Sequence, residues 1–316
     1  MNTTESANLA PVQISVTTPL TQAFERVKRV LFQPFDLGKW FVIGFCAWLT
    51  QLGENGGGFN FNGGGNNHRG NQVGPEFGEA KAYVLSHLYW IIPVVIIFLL
   101  VAFALVLLIT WLNSRGKFML LHCVALNRAE VGVPWNKFAR QGDSLFWFRV
   151  VLGFIGFVLI APVVVAGVLA GMAAFGHESI SALAVAAFGG VVLLFLCLVL
   201  VFFLIRKLTM DFVVPIMFSR GSTCREGWGI LRQLMAHHLG NFALYFLFQI
   251  VIHFVSGILV LGVMIFTCCV CCLMLMPYIG TVILLPLFVF HRAYSAYYLA
   301  QFGREFDVFS EEPSLG

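Results

Sequence analysis

The chain has 316 residues, of which 59% are hydrophobic and only 11% are charged, and its mean hydropathy is +0.88. Because a water-soluble domain carries about 25% charged residues, this composition excludes a soluble globular protein and makes lipid the solvent for much of the chain. The net charge of +4 does not indicate a nucleic-acid partner, since the basic residues adjoin apolar segments, where they can meet anionic lipid headgroups.

The N-terminal residues 1–17 are polar and lack the basic and apolar regions of a cleavable signal peptide. We therefore expect them to form a cytoplasmic tail. Residues 18–300 are expected to form a single membrane domain, and residues 301–316 a second cytoplasmic tail. We expect no separate catalytic domain outside the membrane unit.

The first predicted helix runs from Leu20 to Leu31. Apolar residues recur there at helical spacing, whereas Arg26, Lys28 and Arg29 lie away from the apolar stripe. This pattern predicts an amphipathic helix that lies in the lipid headgroup layer with its stripe toward the membrane.

Six apolar segments follow, each near the roughly 20 residues that a membrane crossing needs. They lie near residues 36–52, 83–112, 146–175, 180–205, 240–266 and 271–290. The first is the least apolar and is also compatible with a re-entrant segment. Residues 53–78 contain ten Gly and six Asn, a composition typical of a flexible linker.

The basic residues divide unevenly between the connections. Seventeen of the nineteen Lys and Arg residues fall on one side of the six segments, and only Arg69 and Lys81 fall on the other. This asymmetry follows the positive-inside rule. It predicts six crossings of a bacterial plasma membrane, with both termini in the cytoplasm.

A short motif recurs at the start of alternate spans. Asp36–Phe41 resembles Asp143–Phe148, and His238–Ala243 is a looser third copy. A basic segment precedes each copy, and in the third the basic residues are Arg225 and Arg232. The pattern predicts an all-α fold built from three units, each an interfacial amphipathic helix followed by a helical hairpin. The alternative is that any six-span protein carries basic connectors with aromatic residues at its boundaries.

Several motifs also resemble a known kind of bacterial membrane domain. They are the runs Phe35–Trp40, Asp211–Pro215, Thr223–Trp228 and Leu239–Phe242. Together they resemble the membrane domain attached to some glycerophosphodiester phosphodiesterases and related families of unknown function. The resemblance implies a membrane architecture and carries over no catalytic residue.

A cysteine cluster lies at the turn between the fifth and sixth predicted spans, at Cys268, Cys269, Cys271 and Cys272. Such thiols could exchange disulfides with a quinone-linked partner or bind zinc, or they could simply allow a tight turn. We interpret the cluster as structural. The sequence predicts no catalytic, cofactor-binding or metal-binding residue and no cofactor.

A polar face is predicted within the fifth span. Gln249, His253 and Ser256 recur there at helical spacing, and such residues either line a polar pathway or form hydrogen bonds between helices. The tyrosines at 294, 297 and 298 are interpreted as an aromatic belt at the membrane interface.

Three function classes remain open from these features. The first is a non-enzymatic membrane protein that organises lipids or binds partner proteins, including further copies of itself, through basic cytoplasmic helices. The second is a transporter or lipid-translocating protein that uses the polar face of the fifth span. The third is a membrane thiol oxidoreductase. The positions of the basic residues beside the spans favour the first.

Overall fold

The structure is a computed structural model that describes residues 14–53, 88–175, 182–266 and 277–310. Within these ranges every regular element is helical. The α-helices are α1 (Thr18–Val27), α2 (Leu37–Gln51), α3 (Leu88–Leu126), α4 (Gly132–Lys137), α5 (Ala139–Phe175), α6 (Ala182–Leu208), α7 (Val214–Arg220), α8 (Cys224–Phe266), α9 (Pro277–Ile283) and α10 (Leu285–Ala300). Two π-helical turns, Lys28–Phe32 and Thr209–Val213, extend α1 and join α6 to α7.

Four of these helices are long and apolar enough to cross a membrane. They cover Tyr89–Leu126, Ala139–Met172, Ala182–Arg220 and Cys224–Val263. Large apolar side chains cover their outer surfaces, and this exposed area is far larger than a soluble protein tolerates. The predicted all-α fold is therefore confirmed for the described residues, and four of the six predicted spans correspond to helices that could cross a membrane. The other two predicted spans correspond to shorter helices, α2 with 15 residues and α9 with α10, which have 7 and 16.

The packed core lies toward one end of the long helices. It contains the C-terminal half of α3, the π turn after α6, and the helices α2, α7 and α10. Phe118, Leu121, Phe212, Ile216 and Tyr298 are all fully buried there. The apolar parts of α3, α5, α6 and α8 extend from this core, and we call them the apolar shaft. We call the end that contains the core the basic end, because Arg26 and Lys117 lie there.

Helices approach each other closely at glycine residues, which have no side chain. A Cβ at Gly116 of α3 would lie 3.1 Å from the backbone carbonyl carbon of Leu49 in α2. A Cβ at Gly44 of α2 would lie 2.6 Å from a methyl carbon of Val282 in α9. Small residues at such crossings are typical of membrane helices, because they allow the backbones to approach each other.

Helix α1 packs along α10. Ala23 and Val27 of α1 are buried, as are Val30 and Leu31 of the following π turn, whereas Phe24 is 68% exposed. Most of the apolar stripe therefore packs against the protein. This finding corrects the expectation that the stripe as a whole faces the headgroup layer.

The expected aromatic belt near the C-terminus is also corrected. Tyr294 and Tyr298 are fully buried. The Tyr298 hydroxyl donates a hydrogen bond to the Asn241 carbonyl oxygen at 2.8 Å, and burial raises the pKa of Tyr298 to about 12. The phenol therefore stays protonated and joins α10 to α8. Beyond α10, Phe306 and Phe309 are buried against the core, within the segment expected to be a cytoplasmic tail.

Candidate functional site

The sequence-predicted polar face of α8 meets an ion pair on α6. Lys207 lies at the end of the apolar part of α6, and Asp211 lies one turn later within the π turn. The Lys207 Nζ and an Asp211 carboxylate oxygen are 3.0 Å apart, and both side chains are mostly buried. π turns displace side chains from ordinary helical positions and are frequent at functional sites. Here the turn places a carboxylate between α6 and α8.

Asp211 accepts two further hydrogen bonds from α8. The Tyr245 hydroxyl donates to its carboxylate at 3.2 Å, and the Gln249 Nε2 donates to the same oxygen at 3.4 Å. Gln249 also donates to the Tyr245 hydroxyl oxygen at 3.2 Å. The carboxylate thus has one cation and two neutral donors, which offset much of the cost of burying it.

Two histidines continue this arrangement from α8 to α10. The rings of His253 and His291 are stacked, with centroids 4.7 Å apart. The His253 Nε2 lies 3.2 Å from the Lys207 Nζ, and the His291 Nε2 lies 3.1 Å from the Ser256 hydroxyl oxygen. Because an ammonium group only donates hydrogen bonds, a direct Lys207–His253 hydrogen bond would use the His253 Nε2 as the acceptor.

These seven residues form what we call the polar cluster: Lys207, Asp211, Tyr245, Gln249, His253, Ser256 and His291. A cavity of about 150 Å³ adjoins it and is also lined by Lys117 and Arg292. The Arg292 Nη1 donates to the Met210 carbonyl oxygen at 2.7 Å. The cluster therefore links α6, α8 and α10 at the boundary between the basic end and the apolar shaft.

The three predicted residues of the polar face each find a different partner in this cluster. Gln249 bonds to Asp211, His253 approaches Lys207, and Ser256 approaches His291. Sequence reasoning missed these partners because they lie on other helices. The available signal was the i, i+4 spacing of Lys207 and Asp211 at a span boundary, which is the spacing of helical ion pairs.

The basic residues predicted to lie at the membrane surface divide into two groups. Lys28, Arg29, Arg225 and Arg232 are exposed. Arg26 is only 3% exposed, and its Nε donates to the Val124 carbonyl oxygen at 2.9 Å. This placement corrects the prediction for Arg26, because its guanidinium serves as a partner for the last carbonyls of α3 instead of a lipid.

The predicted thiol cluster at Cys268, Cys269, Cys271 and Cys272 lies outside the described residues. Two other thiols, at Cys46 and Cys123, are buried and 4.0 Å apart. They join α2 to α3, a pairing that spacing along the chain did not indicate. Among the described residues, no group of three or more His, Cys, Asp or Glu side chains could hold a metal ion.

Comparison with known proteins places the chain in a family. A family model described as a family of unknown function, DUF7544, matches residues 14–284. The chain belongs to this family. The match covers all four long helices, α9 and every residue of the polar cluster except His291. No curated protein and no solved structure matches the chain. The comparisons show no link to the glycerophosphodiester phosphodiesterases that the motifs resemble.

Proposed function

We propose that this protein is a six-span integral membrane protein of a bacterial plasma membrane and that it works without catalysis. Its termini and its basic end lie in the cytoplasm. Exposed basic and aromatic side chains at that end bind anionic lipid headgroups and hold partner membrane proteins, and the protein thereby organises the membrane around it.

Contacts between distant parts of the chain support six crossings. Arg26 bonds to the C-terminal end of α3, whose other end lies about 57 Å away at a rise of about 1.5 Å per residue. The chain must therefore cover a distance equal to the length of α3 between the end of α1 and Leu88. The Ser15 backbone N–H donates to the Gln301 side chain at 2.8 Å, so the two ends of the domain lie together. That pairing supports an even number of crossings.

Helix packing and a kink in α8 support the threefold repeat of an interfacial helix followed by a helical hairpin. Helix α2 packs on α3, and α5 packs on α6, as two hairpins would. Helix α8 is kinked at His238, which has φ −134° and ψ 35°. That kink separates the basic segment from Cys224 onward from the apolar segment, at the start of the third motif copy.

The proposed non-catalytic role rests on one observation. The ionisable side chains of the polar cluster form hydrogen bonds and an ion pair with one another across three helices. Asp211 has Lys207, Tyr245 and Gln249 as partners, and His253 contacts Lys207. Such an arrangement holds helices in fixed positions. The surface at the same end presents exposed Lys28 and Arg29. Each cation near an anionic surface contributes about 1 kcal/mol.

Lipid selectivity tests this proposal. We expect the purified protein, reconstituted in vesicles, to restrict the motion of spin-labelled phosphatidylglycerol more than that of spin-labelled phosphatidylcholine. Electron spin resonance measures this motion. The double variant Lys28→Gln/Arg29→Gln should lose part of this preference, because it removes two surface cations. The matched control is Thr21→Ala/Gln22→Ala, which changes exposed neighbours on α1 without changing charge. Equal restriction of both lipids by the wild type would contradict the proposal.

The cavity beside the polar cluster favours a second candidate, a transporter or lipid-translocating protein. Its lining includes the neighbouring rings of His253 and His291, and histidines that face a cavity within a membrane can belong to a proton pathway. Vesicles loaded with a pH-sensitive dye distinguish the two candidates. Proton flux that depends on the protein and is lost in His253→Gln would favour transport, whereas no flux above empty vesicles agrees with the organising role.

A further inference from the structure

A second cavity lies along the apolar shaft, between α5 and α6. Its volume is about 530 Å³. Its lining comes from Thr110 in the middle of α3, from α5 and from α6 with the following π turn. The residues that the argument uses are Arg149, Gly153, Gly156, Phe202 and Arg206, and we call this cavity the shaft groove.

Glycine residues create the space in the shaft groove. A Cβ at Gly153 would meet nothing within 4 Å, and a Cβ at Gly156 would meet only the Phe202 ring, at 3.4 Å. Leu152, Phe157 and other apolar side chains complete this part of the lining. The groove from Gly153 to Ile160 spans about 10 Å of helix at a rise of about 1.5 Å per residue, so it accommodates part of one acyl chain.

Two arginines flank one end of the shaft groove. Arg149 is half-buried and Arg206 is exposed. The Arg149 Nη1 donates to the Asn113 side-chain oxygen and, at 3.3 Å, to the Ser114 hydroxyl. These bonds hold the Arg149 guanidinium beside α3. Both arginines belong to the lining of the groove at this end.

The arginines also lie at headgroup depth. Arg149 immediately precedes the uncharged stretch from residue 150 to 177, and Arg206 immediately follows the stretch from residue 179 to 205. Both cations therefore mark the basic boundary of the same hairpin, and the glycines lie on its apolar side. Guanidinium groups bind phosphate oxygens with paired hydrogen bonds.

We propose that the shaft groove binds one anionic phospholipid of the leaflet at the basic end. Its phosphate lies between Arg149 and Arg206, and one acyl chain lies along Gly153, Gly156 and Phe202. The proposal rests on the membrane orientation given under the proposed function. It adds a defined site for a single lipid to the general attraction of a basic surface.

Native mass spectrometry of the full chain, released from detergent micelles, tests the site with phosphatidylglycerol and phosphatidylcholine as probes. The wild type is expected to retain one phosphatidylglycerol more tightly than any phosphatidylcholine. Arg206→Gln should weaken this binding about tenfold, because it removes a hydrogen bond between charged groups. Gly153→Leu should abolish the retained lipid by filling the groove.

Matched controls separate the site from effects on folding or on overall charge. Gly189→Leu changes another shaft glycine whose Cβ would meet nothing within 4 Å, and Arg225→Gln removes an exposed cation outside the groove. Both controls should retain the lipid, and circular dichroism should show equal helix content in all variants. Equal retention in Arg206→Gln, Gly153→Leu and the wild type would overturn the proposal.

The two lipid experiments can fail separately. If the Lys28→Gln/Arg29→Gln variant loses lipid selectivity while the groove variants behave as wild type, the shaft groove is wrong and the organising role stands. If the groove variants lose the retained lipid while spin-labelled lipids show no preference, the site stands and the proposed function is wrong.

Discussion

Arg26 connects three parts of the chain through one side chain. Its guanidinium donates to the carbonyl oxygens of Val124 and Ala125 at the end of α3, and the Phe309 ring covers it at 4.9 Å. The last carbonyls of a helix lack partners within the helix and carry partial negative charge. A buried cation at this place therefore stabilises the end of α3 and fastens α1 and the C-terminal segment to it.

Replacing Arg26 with Ala should destabilise the protein by about 2–4 kcal/mol, because the α3 carbonyls would stay buried without their donor. Unfolding of the purified protein by a denaturing detergent, followed by circular dichroism, measures the change. Lys28→Ala is the control, since Lys28 is exposed on the same helical segment. An equal, small effect of both substitutions would show that the Arg26 contacts contribute little.

The Lys207–Asp211 pair is expected to be energetically coupled. A double-mutant cycle with Lys207→Met and Asp211→Asn should give a coupling energy of about 1–3 kcal/mol, since each single change leaves a mostly buried partner behind. The same detergent unfolding assay measures it. Additive single effects would contradict a direct interaction, and Glu25→Gln, at an exposed position, supplies the baseline for a neutralised surface carboxylate.

Helix α1 has two apolar surfaces that its sequence pattern does not distinguish. Val27 is 7% exposed and packs against the core, whereas Phe24 is 68% exposed. Both belong to one helical stripe, because i and i+3 positions are neighbours on a helix. What separates them is α10, which covers only part of the stripe.

Val27→Asp should therefore destabilise the protein by about 3 kcal/mol or more, since it buries a charge in a packed contact. Phe24→Asp should leave the unfolding midpoint nearly unchanged and reduce only the contact of α1 with lipid. Tryptophan fluorescence during detergent unfolding measures the first effect, and quenching of a dye on α1 by brominated lipid measures the second. The reverse order of stabilities would contradict the packing of α1 on α10.

For the whole molecule, six crossings predict which connections reagents can reach from outside a cell. A single cysteine at Gly64 should react with a membrane-impermeant maleimide in intact cells, because the proposed orientation puts residues 53–78 on the outer side. Cysteines at Asn136 and Ser310 should react only after the cells are opened. Reaction at Asn136 in intact cells would refute the orientation, and total labelling in detergent controls for access.

The sequence by itself determined the class of protein and its long helices. Low charge and long apolar runs require lipid as solvent, and a helix is the way a single segment satisfies its backbone there. Only the tertiary structure decided what the polar residues do. Arg26 and Lys28 look alike in the sequence, and so do Gln249 and His253. Their roles differ because helices far apart in the chain place a carbonyl, a carboxylate or open space beside them. The periodicity of one helix does not specify which residues of other helices pack against it.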